Sequence, residues 1–159
     1  MNFDLIKALA EHETVIKNLM QLYIYDFSEY VGCDVEDSGL FPPYSGLEEY
    51  WQKENNRFPY ILKKNEKYIG FILVRFIETP ERSYFSIAEF FIMKRYRLEG
   101  IGKSAAWEIF NLHKGQWEVY QKENNKPARA FWNKAISGYT RGQFKDRSES
   151  GRRIQTFET

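Results

Sequence analysis

A dense apolar run, a glycine turn and a helical pattern follow one another in residues 84–112 and constrain the fold most strongly. Residues 84–93 read YFSIAEFFIM and favour a β-strand, while apolar residues recur at helical spacing over 105–112. Between them, RLEGIG (97–102) directs several backbone N–H groups to the positive end of a helix dipole. We therefore expect a phosphate or pyrophosphate site there. Gly100 and Gly102 lack the Cβ atoms that would block an anion or forbid left-handed backbone angles.

The glycine pattern alone leaves alternatives open. It fits an ordinary strand–helix turn. Gly-Lys-Ser at 102–104 resembles the end of a Walker loop, but position 97 holds no glycine. A dinucleotide-binding fingerprint is also conceivable, with Ala105 as its third small residue and Glu123 as its acid. The strand of such a fingerprint normally comes early in its domain, whereas this one is central.

A second segment, NNKPARAFWNK at residues 124–134, narrows the choice. Arg-x-x-Gly-x-Gly after an apolar strand resembles the acyl-CoA pyrophosphate loop of the GNAT superfamily of N-acetyltransferases. Asn-x-x-Ala-x-x-Phe-aromatic-x-Lys resembles that family's second CoA-contacting segment. The two motifs together span residues 83–134, and the order of elements extends the resemblance to nearly the whole chain.

The resemblance implies an α/β fold. Its central sheet would be mixed, mostly antiparallel and of about seven strands, flanked by about four helices. The strands at 84–93 and 116–121 would run parallel and splay apart at the cofactor site, where the pantetheine arm would bind exposed strand amides.

The resemblance also implies direct acetyl transfer from acetyl-CoA, as co-substrate, to a primary amine in a ternary complex. Cations near the loop would pair with the CoA phosphates. Asn125 would bind the pantetheine amide, cap the helix opened by Pro127, or do both. The residues assigned to the cofactor are Phe91, Ile92, Met93, Arg97, Gly100, Ile101, Gly102, Lys103, Asn125, Ala128 and Phe131.

Glu89 is the candidate catalytic residue. It interrupts a run that is apolar on both faces, and a buried carboxylate must be paired or have a raised pKa. The resemblance implies that a bulge interrupts this strand and that Glu89 acts as the general base, through water, for the protonated amine. The alternative is a structural glutamate paired with Arg75 or Arg95.

Trp132 departs from the family pattern, which often has tyrosine after the phenylalanine to protonate the leaving thiolate. The indole N–H donates hydrogen bonds but is not a usable acid. Either the thiolate then leaves unaided, or Tyr139 substitutes. Trp132 also favours the second hypothesis, a non-catalytic module that binds CoA or a protein partner. A nucleotide-binding domain built on Gly102–Ser104 is the third.

The remaining chain supplies elements around these motifs. We expect a short first strand near residues 3–7, helices over 11–31 and 46–55, and a hairpin from 58–63 and 67–77. We expect the last hairpin to pair 138–144 with 152–157 around a polar turn at 145–151. In the family, the segment between the first two helices covers the acceptor site; here it is acidic and aromatic, which suits an ammonium group. Its residues of interest are Tyr44, Glu48, Glu49, Tyr50 and Trp51.

Composition excludes several classes of function. The 159 residues suit one domain spanning 1–159, and a net charge of +1 without a polybasic run indicates neither a nucleic-acid nor a membrane partner. One cysteine excludes an internal disulfide and a Cys-rich zinc site, so we expect no metal. The N-terminus lacks a signal-peptide pattern, so we expect a cytoplasmic protein. A small-molecule or peptide amine acceptor and a homodimer are compatible with these features.

Overall fold

The computed structural model describes residues 2–52 and 56–159, which form a seven-stranded sheet flanked by four α-helices. The strands are β1 (Asp4–Lys7), β2 (Arg57–Lys64), β3 (Lys67–Glu78), β4 (Ser83–Ile92), β5 (Gln116–Lys122), β6 (Lys145–Glu149) and β7 (Arg152–Glu158). The helices are α1 (Glu13–Val31), α2 (Glu49–Gln52), α3 (Ile101–Leu112) and α4 (Lys126–Thr140). The strand order is β1-β2-β3-β4-β5-β7-β6, and among the described strands only β4 and β5 pair in parallel. The predicted mixed, mostly antiparallel sheet is confirmed.

The first half of the chain folds largely as its pattern predicts. α1 presents Ile16, Leu19 and Met20 to the sheet and ends at Gly32, whose φ is 65°. β2 and β3 form the predicted hairpin through Asn65 and Glu66, both in the left-handed conformation that a two-residue hairpin turn favours.

The second predicted helix is confirmed only in part. The structure forms a helix at Glu49–Gln52, and residues 46–48 form a turn before it. Residues 53–55 of the predicted segment lie outside the described residues.

The centre of the sheet contains the two irregularities that the resemblance implies. Leu73 lies opposite Glu89, but its neighbour Val74 lies opposite Ile87, so Ala88 is an extra residue that forms a bulge in β4. In the described chain, β4 and β5 share a single parallel register pair, Phe85 with Trp117, near their starts. The two strands therefore share no register toward the end of β4 where the glycine loop begins.

The strand predicted at residues 138–144 is wrong. These residues lie in the last turn of α4 and the turn after it, because Trp132, Ile136 and Tyr139 continue a helical stripe that packs on α3 and the sheet. Gly138, which suggested a strand, allows close packing instead: a Cβ there would lie 3.1 Å from Cζ2 of Trp107.

The polar turn predicted at residues 145–151 is also wrong. β6 occupies Lys145–Glu149, and only Ser150 and Gly151 form the turn. All five residues of β6 are exposed at the sheet edge, so the strand has no apolar alternation to reveal it and is defined by its pairing with β7. β7 confirms the strand predicted at 152–157.

Two apolar clusters cover the two faces of the sheet. One lies beneath α3 and α4 and includes Ile72, Ile101, Phe110 and Trp117. The other lies beneath α1 and α2 and includes Met20, Tyr50, Phe71, Leu73 and Phe91. Among the described helices, none is long and apolar enough to cross a membrane.

Candidate active site

The glycine loop presents backbone N–H groups at the start of α3. Leu98 and Gly100 adopt left-handed conformations, with φ of 65° and 80°, and the helix begins at Ile101. The first N–H groups of an α-helix have no partner within the helix, and Gly100 has no side chain to cap them. This geometry suits an anion at the positive end of the helix dipole.

Gly102 has a helical backbone, so a left-handed angle does not explain its need to be glycine. A Cβ at this position would lie 3.0 Å from Cε2 of Phe131 and 3.5 Å from Cδ1 of Ile92. The glycine thus lets α3 approach α4 and the end of β4 closely. Phe131 in turn lies 5.4 Å from Phe90, ring centre to ring centre.

Arg97 is held against the protein. Its Nε donates a hydrogen bond to the carbonyl of Ile92 at 2.6 Å, and its guanidinium forms an ion pair with Asp26 of α1. Lys94 contacts the same carboxylate at 3.4 Å. Asp26 is therefore a residue of this site that sequence reasoning missed; an acid near the C-terminus of a helix, where the dipole disfavours it, was the available signal.

Ile101 and Lys103, the other two predicted residues in the first turn of α3, differ in which groups are available to bind a ligand. The Ile101 side chain is buried in the core, so only its backbone faces the loop. The ammonium of Lys103 lies 5.0 Å from the centre of the Trp107 ring.

The strand amides at the end of β4 point in alternating directions. The Met93 N–H donates to the Ile69 carbonyl of β3 at 2.8 Å. Since successive residues of a strand direct their N–H groups to opposite edges, Phe91 also faces β3 and Ile92 faces the gap toward β5. Ile92 is thus the one of these three whose N–H is placed for a ligand in the gap.

Asn125 caps α4. Its side-chain oxygen accepts a hydrogen bond from the Ala128 N–H at 3.1 Å, and Pro127 follows in the first turn. The capping prediction is confirmed, while its contact with a cofactor stays a prediction. Ala128 and Phe131 are both partly buried and pack against the core cluster under α4.

Glu89 follows the bulge and faces α1, and its carboxylate lies near the hydroxyls of Tyr23 in α1 and Tyr44 in the loop before α2. Burial raises the pKa of Glu89, and the two hydroxyl donors only partly offset this. Burial and the nearby Glu89 raise the pKa of both tyrosines, which therefore stay neutral donors. Within the described ranges Glu89 forms an ion pair with neither Arg75 nor Arg95. The alternative prediction, a structural glutamate paired with one of these arginines, is therefore wrong.

Tyr23 is a second residue that sequence reasoning missed. Its ring packs against Phe71 and Phe91, so the residue was identified only as part of the apolar stripe of α1. A tyrosine in such a stripe normally directs its hydroxyl to a polar partner, and this was the available signal.

The acidic and aromatic residues in and before α2 have different roles. Tyr44 and Tyr50 lie beside Glu89, as their mutual electrostatic effects show. Glu49 forms an ion pair with Arg57 at 2.6 Å, and Trp51 donates to the Ala8 carbonyl, so both help to hold α2 in place. A cleft of about 270 Å³ beyond Tyr44 is lined in part by Glu13, Glu36 and Glu48.

Neither Trp132 nor Tyr139 is placed as an acid for a leaving group. Trp132 is 6 % exposed and packs edge-on against Phe90. The Tyr139 hydroxyl donates to Asn111, which lies ten residues beyond Ile101 and so about 15 Å along α3 from the glycine loop.

A glycine loop that enters a helix, beside a parallel strand pair with a single register pair, is the arrangement that the resemblance to acyl-CoA-dependent acyltransferases implies. Residues 19–139 match the model of the acetyltransferase (GNAT) family, and the chain belongs to this family. The family's reaction is acetyl transfer with CoA. The Walker and dinucleotide-binding alternatives would need a largely parallel sheet, whereas only β4 and β5 are parallel here.

Solved structures agree with this fold. The chain is similar to PaiA N-acetyltransferase from Thermoplasma acidophilum in complex with coenzyme A, at 16 % identity over 100 % of both chains and a TM-score of 0.66. It is also similar to an acetyltransferase from Thermus thermophilus, at 14 % identity over 100 % of this chain and 98 % of the other (TM-score 0.65). Arabidopsis thaliana Naa50 in complex with a bisubstrate analogue, CoA-Ac-MVNAL, matches at 14 % identity over 100 % of both chains (TM-score 0.63). No curated protein matches significantly in sequence.

Proposed function

We propose that this protein is an N-acetyltransferase that moves the acetyl group of acetyl-CoA to a primary amine of a small molecule or peptide. One observation carries the proposal: the glycine loop and the partly buried carboxylate of Glu89 both lie toward the same end of β4, which has no register pair with β5 there. Glu89 lies three residues before Ile92, whose N–H faces the gap toward β5.

The loop and the strand end would hold the cofactor. The pyrophosphate would lie on the N–H groups of Ile101, Gly102 and Lys103, above the left-handed Gly100. The pantetheine arm would run along β4 to the Ile92 N–H, with Asn125, Ala128 and Phe131 on the α4 side. Arg97 would exchange part of its pairing with Asp26 for a phosphate oxygen.

Glu89 would take a proton from the acceptor ammonium, directly or through water. A raised pKa suits this task, because the carboxylate must accept a proton near neutral pH. The neutral amine then attacks the thioester carbon, a C–N bond forms and the C–S bond breaks. The second amine proton is lost as the amide forms, and the thiolate is protonated. A strand N–H would bind the carbonyl oxygen as negative charge develops on it.

The thiolate would leave without a dedicated side-chain acid. A thiol has a pKa near 8.5, so its anion is a tolerable leaving group. Trp132 and Tyr139 both have other partners.

The comparisons support the two substrates in general terms. One similar protein was solved with coenzyme A, and another with an analogue that joins CoA to the peptide MVNAL. A cytoplasmic location and a homodimer stay predictions.

A non-catalytic module that binds CoA or a protein partner is the second candidate. The absence of a tyrosine directly after Phe131 favours it. The two candidates differ in one result: the module binds its ligand but acetylates no amine.

Calorimetric titration with acetyl-CoA tests the cofactor. We expect binding by the native chain and at least a tenfold loss in Gly100→Glu, because the new carboxylate would occupy the proposed anion site and the left-handed backbone disfavours any side chain. Gly39→Glu is the matched control, since Gly39 is also left-handed and lies in a loop with no atom near its Cβ position. A folded native chain that binds no acetyl-CoA would remove the proposal. Binding followed by transfer to amines would separate the enzyme from the module.

A further inference from the structure

Two arginines lie side by side next to the Glu89 site. Arg57 of β2 and Arg75 of β3 are register partners. Arg57 pairs with Glu49 and lies 5.5 Å from the centre of the Tyr50 ring. Arg75 is exposed, and no acidic side chain within 2–52 or 56–159 forms an ion pair with it. Arg75 is therefore a guanidinium with no anionic partner among the described residues.

Arg75 lies on the same face of the sheet as the proposed acceptor site at Glu89. Arg75 and Leu73 project from the same face of β3, about 7 Å apart, and Leu73 lies opposite Glu89. The guanidinium also acts electrostatically on Tyr44 and Tyr50, lowering the pKa of each against the larger effect of burial. Arg75 thus lies near enough to these tyrosines to act on them, and both also interact with Glu89.

Two buried polar groups near Arg75 lack hydrogen-bond partners among the described residues. The Tyr50 hydroxyl and the Nε of Arg57 have no hydrogen-bond partner of acceptable geometry in the described chain, although the Arg57 guanidinium lies beside the hydroxyl. Tyr50 is 2 % exposed. Buried polar groups are nearly always hydrogen-bonded, so these two groups are available to a water molecule or to a polar group of a ligand.

We propose that the acceptor is an amine whose own molecule carries a carboxylate, as in an amino acid. Arg75 binds the carboxylate with the Tyr50 hydroxyl as a second donor, while the amine lies at Glu89. A guanidinium matches a carboxylate with two parallel N–H donors, which an ammonium cannot do. The inference rests on the proposed function and specifies its substrate class.

A diamine is the competing acceptor. Glu13, Glu36 and Glu48 in the cleft beyond Tyr44 would attract a second cation. Arg57 and Arg75 would repel this second cation, and Glu36 and Glu48 are exposed to solvent, which weakens their field.

Matched acceptors test the assignment. Each amino acid is compared with the amine that lacks its carboxylate, as lysine with cadaverine and tyrosine with tyramine, at saturating acetyl-CoA. We expect kcat/KM to be about 10- to 100-fold higher for the carboxylated member, the range of a charge-assisted hydrogen bond. Arg75→Gln should bring this ratio close to one, and Arg75→Glu should reverse it in favour of cadaverine.

Lys67→Gln is the control, because it removes one positive charge from β3 about 26 Å from Arg75. It should leave the ratio unchanged, and acetyl-CoA binding by each variant confirms its fold. A native ratio near one, a preference for cadaverine, or a ratio that Arg75→Gln does not alter would overturn the inference. So would acetyl-CoA binding without transfer to any member of the panel. Failure to bind acetyl-CoA would instead count against the proposed function.

Discussion

At the scale of single residues, the geometry around Glu89 depends on one extra residue in β4. Ala88 forms the bulge, and after it Glu89 and Phe91 share the face that packs against α1. A strand without the bulge would alternate in the usual way and turn Glu89 toward the opposite face. Two neutral tyrosines, Tyr23 and Tyr44, then lie beside the carboxylate. Burial raises the pKa of Glu89, and the two hydroxyls limit this rise.

Glu89→Gln should lower kcat/KM by about 10²- to 10⁴-fold, the usual contribution of a general base. In the native enzyme, kcat/KM should fall as the pH decreases through the raised pKa of Glu89, because the protonated carboxyl cannot accept a proton. The variant should lose this acidic limb while its acetyl-CoA dissociation constant stays the same. Tyr44→Phe should move the limb to higher pH, since it removes a donor that lowers the pKa. Full turnover by Glu89→Gln would remove the base assignment.

Asp26→Asn should tighten acetyl-CoA binding about two- to fivefold. The Asp26 carboxylate pairs with Arg97 and Lys94, and therefore competes with the phosphates of the cofactor. The size of the effect follows from the small free energy of a partly exposed ion pair. Glu29→Gln, an equal change of charge three residues further along α1, is the control for calorimetry at low and high salt. Weaker binding by Asp26→Asn would show that the ion pair positions Arg97 for the cofactor.

At the scale of elements, the site depends on close packing at the end of β4. Gly70 of β3 lies opposite Ile92, and a Cβ at Gly70 would lie 2.1 Å from the Phe91 carbonyl oxygen. Gly102 allows a similar approach between α3 and α4. These contacts hold the strand end, the glycine loop and the two helices together.

Gly70→Ala should lower the free energy of unfolding by on the order of 3 kcal/mol, because the clash is with backbone that cannot rotate away. It should also weaken acetyl-CoA binding, since the end of β4 must move. Gly138→Ala is the comparison in urea denaturation. Its Cβ would lie 3.1 Å from a ring atom of Trp107, and alanine contributes about 1 kcal/mol of helix propensity. We expect its net change to stay within about 1 kcal/mol, and equal losses in the two variants would contradict this explanation.

At the scale of the whole molecule, we propose that residues 1–159 form one domain. A single sheet carries both apolar clusters, with α1 and α2 on one face and α3 and α4 on the other. The β5–β7 and β3–β4 pairings are contained in that same sheet. Because both clusters pack against the same sheet, we expect them to unfold together in one cooperative transition.

His113 should make the stability of this domain depend on pH. Burial among Phe58, Phe85 and Trp117 lowers the pKa of His113 from 6.5 to about 4. The unfolded chain therefore binds a proton that the folded chain does not. The contribution of neutral His113, about 3 kcal/mol for this shift, is present above about pH 6.5 and is lost as the pH falls through about 4.

His113→Gln isolates this effect, because the amide of glutamine does not titrate and can still form a hydrogen bond with the Tyr60 hydroxyl, which lies 2.8 Å from Nε2 of His113 in the native chain. Urea denaturation at about pH 7.5 and about pH 5 should show a smaller loss of stability for the variant than for the native chain. The comparison is needed because Glu89, whose pKa is raised, acts in the opposite direction. An identical loss in both proteins would exclude His113 as the cause.

The sequence by itself determined the features that local patterns encode. The apolar stripe of α1, the hairpin of β2 and β3, and the strand–loop–helix at RLEGIG all follow from periodicity and turn chemistry over short stretches. The bulge and the parallel pair were implied by two motifs in order. The predictions for residues 138–149 were wrong, because Gly138 and an exposed edge strand give a local pattern that contradicts their long-range packing.

The tertiary structure alone decided which side chains meet. Tyr23 and Glu89 are 66 positions apart in sequence, Asp26 and Arg97 are 71 apart, and Arg57 and Arg75 become neighbours only through the register of β2 and β3. The physical reason is that periodicity records which face of an element is buried. The partner of each polar group on that face is set by the strand order and by how the helices pack across the sheet.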